Sequence, residues 1–522
     1  MSRKQRERRK QELATLRSAA PASFPSPPQP PVPRAPLWLA AAFLLPNLGA
    51  LACGFVFDDR VVIVENESLH AGSLRQFGQL WTTGYWPDPR GQELYRPISK
   101  TLWAVLWAAG GGHAWVFHAA GLALGLAVVL LLYRFLLELE TPPRTAFIAA
   151  ALFALFPIHT EATTSVVGSA ETLAAALALG ALIFYWRGQV VRALVLFALA
   201  VLSKESAAAF AALAVVLPPK PIWPINSFSQ EDARTRLRIL ATVGAGLIIG
   251  AALSAHNLLS RSSRIPAVDN PASLIDAGPR ILTALWVQCL YLFKTLLPIT
   301  LSADYSYKQI PLVMGLDDGR AWAGLALAAG ALFLVIQSRK LRPPVLAYAA
   351  LFAVTANVLF PIGTIMGERL AYAPSLGLAL LLAILLAQSR HWRTVLLAVA
   401  LLFGARTAVR NLDWRSPTVF YTRLVETSPQ SAKAQYSFGA LRSSLGDDAG
   451  AIEAYDRAIA IFPAYSEAFR NRGNAQARLG KNADAMASYR QCLRFDPTDY
   501  AAIHNLMELQ AGRSVNPPRK PL

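Results

Sequence analysis

Two adjacent carboxylates, Asp58 and Asp59, follow an unbroken apolar run that covers residues 37–57. Four further polar clusters stand at the ends of other apolar runs: His159 with Glu161, Lys204 with Glu205, Asp304, and Glu368 with Arg369. A carboxylate can take a proton or bind a cation. Arg offers an anion a planar fork of donors, and Lys a point charge. Gathered on one face, these groups would make a polar cavity at a membrane surface. Taken singly, each is an ordinary solvated helix end.

The elements that must position them are membrane spans. The 522-residue chain is 54% hydrophobic and 16% charged, with a mean hydropathy of +0.36. Soluble domains carry more charge than this. Apolar stretches long enough to cross hydrocarbon recur at 37–57, 116–133, 172–186, 239–255, 321–337, 345–360, 371–387 and 394–405. The formal charge of +18 belongs largely to short loops and the N-terminal tail. That is the pattern of cytoplasmic span ends, so no nucleic-acid partner is expected. Three scattered cysteines carry no metal-ligand spacing and no disulfide framework. Residues 1–10 hold six basic side chains against one acid, and residues 21–36 hold eight prolines. Residues 1–36 therefore read as a disordered cytoplasmic tail.

Basic loops set the orientation. With the tail inside, Asp58 and Asp59 emerge outside. Alternation then puts all five polar clusters on that same outer face. The stretch "VLSKES" is best read as an outer turn between two short crossings. A lone charge at the bilayer centre would cost ~3 kcal/mol. Residues 281–298 are caught between two outer loops, so either they are re-entrant or interfacial, or one of the short spans is misassigned. The count is about eleven crossings, with the C-terminus outside.

From residue 413 the composition turns polar and helical. Pro429, Pro463 and Pro497 are spaced by 34, as are Gly439 and Gly473, Ala451 and Ala485, and Tyr455 and Tyr489. This is the tetratricopeptide pattern. Residues 417–429 read as the second helix of an earlier, incomplete unit. Stacked helical repeats leave a groove suited to peptides. The alternative role is a structural cap on the membrane domain.

The order of the motifs "FVFDD" (55–59), "YRPI" (95–98), "FPIHTEA" (156–162), "VVGSAETL" (166–173), "SKE" (203–205), "LSADYSYKQIPL" (301–312) and "GERLAYAPSLG" (367–377) resembles the transmembrane and tetratricopeptide repeat-containing protein family. The resemblance implies an all-α chain: a polytopic helical membrane domain of GT-C type over 37–412 and a tetratricopeptide repeat domain over 413–522. Two departures stand out: Ser169 replaces a usual Arg, and no Asn occurs near Gly121.

The resemblance implies transfer of a sugar, mannose, from a polyprenyl-phosphate donor to a Ser or Thr hydroxyl of a protein, with inversion. Asp58 or Asp59 would be the catalytic base. Arg369, Lys204 and Arg96 would hold the donor phosphate. The competing role of Lys204 is an ion pair with Glu205 or Glu161, and that of Arg96 a loop-fixing bond. His159, Glu161, Glu205, Glu368, Asp304 and Tyr305 would line the cavity or the acceptor path. Tyr305 and Tyr307 could equally anchor at the interface. His159 and Glu161 lack further ligands for a structural zinc. No cofactor is certain, and a divalent cation stays open because some GT-C enzymes use one. The implied partners are the lipid donor, membrane lipid, and an acceptor protein or peptide held by the repeats. The implied location is a bacterial inner membrane, with site and repeats periplasmic, or the ER membrane with the site lumenal. Two rival readings remain: a transporter or flippase of lipid-linked sugars, which would bury its charges near the midplane, and a membrane-anchored repeat scaffold.

Overall fold

The computed structural model describes residues 31–70, 72–87, 94–217 and 265–519. Residues 1–30 of the expected tail and the expected span 239–255 lie outside the described residues. The regular structure among the described residues is helical throughout.

Helix α1 (Ala35–Asn47) runs on through a 3-10 turn to Ala52. Helices α2 (Pro97–Gly110), α3 (Ala114–Glu138) and α4 (Pro143–Leu155) follow. Next come α5 (Ser169–Trp186), α6 (Val190–Ser203), α7 (Ala277–Leu296), α8 (Gly319–Gln337), α9 (Arg342–Phe352), α10 (Ser375–Leu386) and α11 (Trp392–Asn411). Five elements are long and apolar enough to cross a membrane: Ala35–Ala52, Ala114–Glu138, Ser169–Trp186, Gly319–Gln337 and Trp392–Trp414. A bent pair, Pro143–Leu155 with Pro157–Thr163, makes a sixth if taken as one span. Others expected to cross are shorter helices, among them Val190–Ser203, Glu205–Val216 and Ser375–Leu386. The protein is thus a multi-pass membrane protein.

Helix α4 is buried on every side from Thr145 to Leu155. It packs against α10, while α5 packs along α6 and α3, and α1 lies on α3. Apolar side chains all round suit a helix at the centre of a bundle.

Several breaks put polar residues where the sequence needs them. The α4 pair bends by 54°. Pro157 has no N–H to donate and its ring drives the preceding residue out of helical geometry. Phe156 is accordingly extended, with φ −62° and ψ 114°. Helix α6 likewise stops at Lys204, extended at φ −157° and ψ 132°. The next helical segment starts at Glu205.

Two expectations change. Of the forms expected for residues 281–298 the structure removes only the re-entrant loop: most of them lie on the continuous 20-residue helix α7, a form that suits an interfacial element or a further span. Its inner face carries Tyr291, whose hydroxyl donates to the Gly367 carbonyl (3.0 Å) and accepts from the Gly367 N–H (3.1 Å). The helix thereby fixes the start of the Glu368–Arg369 segment. The expected span 345–360 ends at Phe352, and turns follow.

The repeats form α12 (Pro417–Thr427), α13 (Ala432–Ser444), α14 (Asp448–Ile461), α15 (Ser466–Arg478), α16 (Asn482–Phe495) and α17 (Tyr500–Gln510). Each packs on the next. The 34-residue pairing has a steric cause. A Cβ on Gly439 would sit 2.8 Å from the Tyr455 ring, and one on Gly473 2.8 Å from the Tyr489 ring. Tyr489 is fully buried and donates to Asn474 at 2.8 Å, so its ring has little room to retreat. Gly473→Ala should therefore lower the stability of the repeat domain by ~1–3 kcal/mol, the usual cost of overpacking. Thermal unfolding of the full chain, followed by helical signal, reads this directly. An unshifted transition would show that the ring can swing aside.

The junction near residue 413 is packed through. One apolar cluster joins Cys53 and Val56 to Trp414, Phe420, Tyr421, Leu424, Ala434 and Leu441. The first repeat helix thus rests on the chain just before the Asp58–Asp59 pair.

Candidate active site

Residues of three of the clusters converge: Asp58, Glu161 and Arg369. Arg369 Nη1 lies 3.2 Å from Asp58 Oδ2, although 311 residues separate them in the chain. Its Nε lies 3.5 Å from Glu161 Oε1, and its backbone N–H donates to Glu161 Oε2 at 2.9 Å. Arg96 makes a two-pronged pair with Glu205, at 2.9 and 2.6 Å. Its guanidinium also lies over the Tyr85 ring, 4.8 Å from the centroid. Lys204 pairs with Glu171.

Exposure separates the three cations. The Arg369 side chain is 30% exposed, that of Arg96 11% and that of Lys204 7%. Arg369 is therefore the cation most open to an incoming anion. Burial pulls its guanidinium down, but Glu161 and Asp58 outweigh that and hold it charged above the ordinary value. Lys204 is committed to Glu171, rather than to either partner expected of it. Glu205 is committed to Arg96.

The two adjacent carboxylates part company. The Asp58 side chain is 21% exposed. Asp59 is fully buried, and its Oδ1 accepts the Val167 N–H at 2.8 Å and the Ser165 hydroxyl at 3.1 Å. Asp59 thus ties the segment after the first span to the turn before α5. Among the described residues its Oδ2 has no partner. Burial pushes its carboxyl up to about 7, with the neighbouring Asp58 adding to the rise.

The sign of the linkage follows. A folded-state pKa raised above the ordinary 3.8 favours the fold at low pH. That stability is lost as pH climbs from about 4 to about 7 and a buried charge must form. Asp59→Asn keeps the Oδ1 acceptor and removes the titration. Melting temperatures measured from pH 4 to pH 8 should show wild type losing ground to the variant across that window. Parallel curves would show that Asp59 titrates as an ordinary carboxylate.

Four expected cavity residues lie behind the site rather than in it. Glu368 is fully buried, and its Oε1 accepts the Ser302 N–H (2.6 Å) and the Tyr305 hydroxyl (2.5 Å). Its Oε2 lies 3.5 Å from Arg410. Burial pushes the Glu368 carboxyl up, and Arg410 opposes the rise. Tyr305 is neither a sugar platform nor an interfacial anchor, because it is 3% exposed. Asp304 Oδ2 accepts the Ser306 and Ser431 hydroxyls at 2.8 and 2.5 Å, so it faces the repeats. His159 bonds the Ser375 hydroxyl at 2.7 Å among Phe153, Phe156 and Tyr372. It is a satisfied core residue.

Among the described residues, no three His, Cys, Asp or Glu side chains converge on a point that could hold a metal ion. The Asp58 carboxylate instead meets a guanidinium.

Glu171 and Tyr85 escaped the sequence reading. Glu171 had a usable signal: it is the one charged residue in an 18-residue apolar helix. Tyr85 had none.

Comparison with known proteins matches residues 260–332 to the family model "Protein O-mannosyl-transferase TMTC, DUF1736". Residues 439–480 and 467–499 match tetratricopeptide repeat models. Protein O-mannosyl-transferase TMTC4 of Homo sapiens is 25% identical over 77% of this chain and 63% of its own length. TMTC3 of Mus musculus is 26% identical over 75% of this chain and 47% of its own. Tmtc3 of Drosophila melanogaster is 26% identical over 81% and 55%. The chain therefore spans about half to three fifths of the length of these relatives. Among solved structures, the Archaeoglobus fulgidus oligosaccharyltransferase covers 81% of this chain and 58% of its own, at 14% identity and a TM-score of 0.34. Family model, repeat models and long alignments agree: this chain is similar, through most of its length, to the transmembrane and tetratricopeptide repeat-containing protein O-mannosyl-transferases.

Proposed function

We propose that the protein is a glycosyltransferase that moves mannose from a polyprenyl-phosphate donor to a Ser or Thr hydroxyl of a protein acceptor, on the extracytoplasmic face. The observation that carries this reading is the Asp58–Arg369 pair, at 3.2 Å and partly open, at the end of the first span. It sets a proton acceptor beside an anion-binding fork.

The chemistry follows from those two groups. The donor phosphate competes with Asp58 for the Arg369 guanidinium. Once Arg369 turns to the phosphate, the Asp58 carboxylate is left without its ionic partner and can accept the acceptor's hydroxyl proton. The acceptor oxygen bonds to the anomeric carbon as the bond from that carbon to the phosphate oxygen breaks. The configuration inverts, and the polyprenyl phosphate leaves with its charge facing Arg369. The positive charge that builds on the sugar ring is stabilised by the nearby carboxylates. Arg96 and Glu205, locked to each other, brace the wall beside Tyr85.

Purified protein given labelled polyprenyl-phosphate mannose and Ser/Thr peptides should form mannosyl peptide. Arg369→Ala should raise the donor KM and lower kcat, whereas Arg369→Lys should keep the charge but lose the fork. Failure to transfer from any lipid-linked sugar, with uptake of such lipids into sealed vesicles, would favour the transporter reading.

A further inference from the structure

The segment that carries Arg369 is wired to the repeat domain, and two chains of contacts, half-exposed at Arg423 and buried from Ser428 and Arg410 inward, make the connection. In the first, the Thr427 and Ser428 hydroxyls lie 3.0 and 2.7 Å from the Ser302 hydroxyl, and Ser428 also donates to the Asp304 carbonyl at 2.6 Å. The Ser302 N–H then donates to Glu368 at 2.6 Å. In the second, Arg423 on α12 lies 3.5 Å from Asp413, Asp413 accepts from Arg410 at 2.6 Å, and Arg410 reaches Glu368 at 3.5 Å. Both chains end on the same fully buried carboxylate. The next residue is Arg369, with its backbone on Glu161 and its fork on Asp58. Main-chain bonds close the same junction: Lys308 N–H to the Gln430 carbonyl (2.8 Å) and Ala432 N–H to the Tyr307 carbonyl (2.6 Å).

We infer that Glu368 is a positioning residue through which docking of the first repeat helices sets Arg369 against Asp58, so that the membrane site is competent only with the repeats seated. This rests on the proposed transferase reading. Its physical basis is that a buried carboxylate with three donors has one satisfied geometry. Losing the donors on the repeat side frees the 302 segment, and with it the Glu368 backbone. The repeats therefore do more than deliver an acceptor: they complete the site from outside the membrane domain.

The test uses full-length protein. Thr427→Val with Ser428→Ala removes the hydroxyls on the repeat side and touches no group of the membrane site. The acceptor is a serine tripeptide, whose reach of about 10 Å keeps it out of the repeat groove. Transfer to it should fall in kcat by about 10- to 100-fold, the cost of a small misplacement of a catalytic group. Because Arg369 also holds the donor phosphate, the donor KM should rise as kcat falls. Amide exchange should rise at 302–306 and 367–370. Glu368→Gln keeps an acceptor for Ser302 and Tyr305, so it should recover part of the kcat lost in Glu368→Ala. Wild-type kcat in the double variant, with faster exchange confined to 417–444, would overturn the inference. If wild type transfers no sugar at all, the functional reading fails by itself. Exchange at 367–370 then still decides whether repeat and site are coupled.

Discussion

Asp58→Asn should abolish sugar transfer while leaving the fold intact. The expected loss is ~10²–10⁴-fold in kcat, the usual worth of a positioned general base. The amide has the same shape and can still accept a hydrogen bond from Arg369, so the site stays assembled. What it cannot do is carry away the acceptor's proton. Removing the Asp58 charge also frees Arg369 for the phosphate, so the donor KM should stay level or fall. That split between kcat and KM marks a group that acts in the transition state. Asp59→Asn is the internal control. Its carboxylate faces Ser165 and Val167 inside the protein, so its replacement should retain most of the transfer and change the pH profile of stability. Equal losses in the two variants would sink the assignment of Asp58 as base, as would an active Asp58→Asn.

The largest stability effect is expected at Lys204. Its side chain and that of Glu171 are 7% and 6% exposed, and each is the other's counter-charge. Lys204→Met leaves a carboxylate buried without its partner, and breaking such a pair typically costs ~3–5 kcal/mol. Removing both charges, as Lys204→Met with Glu171→Leu, should recover most of that loss, because two apolar side chains of similar volume need no desolvation. The double variant also tests the chemistry. With Arg369 as the phosphate-binding fork, it should refold and transfer sugar. A double variant that melts like wild type yet is as inactive as Asp58→Asn would move the phosphate contact to Lys204. Thermal unfolding in detergent and the mannosyl-transfer assay, run on the same preparations, give both answers.

The local signals in the sequence were legible because each has a short-range cause. Apolar runs, the 34-residue repeat and the break at Lys204 follow from hydropathy, packing period and backbone sterics within a few residues. The first repeat helix at Pro417–Thr427 was legible for the same reason, since Tyr421 stands one period before Tyr455. Charge bias alone leads to the expectation that the clusters share one face, and of their residues Asp58, Glu161 and Arg369 meet. Pairing was not legible. For Lys204 the alternative to phosphate binding is an ion pair with Glu205 or Glu161, but its partner is Glu171, while Glu205 is on Arg96. Nor was the placement of Asp304, Tyr305 and Glu368 behind the site, or the packing of 281–298 as a continuous helix.

The sequence by itself determined that this is a helical, multi-pass chain ending in tetratricopeptide repeats, with an acidic pair at the mouth of its first span. Those properties are sums over neighbouring residues. Only the tertiary structure decided which of the two carboxylates is partly exposed, which of the three cations is most exposed, and that hydrogen bonds link the repeats to Glu368, the neighbour of Arg369. Each of these depends on contacts between residues tens to hundreds of positions apart. In a buried setting, a charge takes whichever partner the packing brings within about 4 Å.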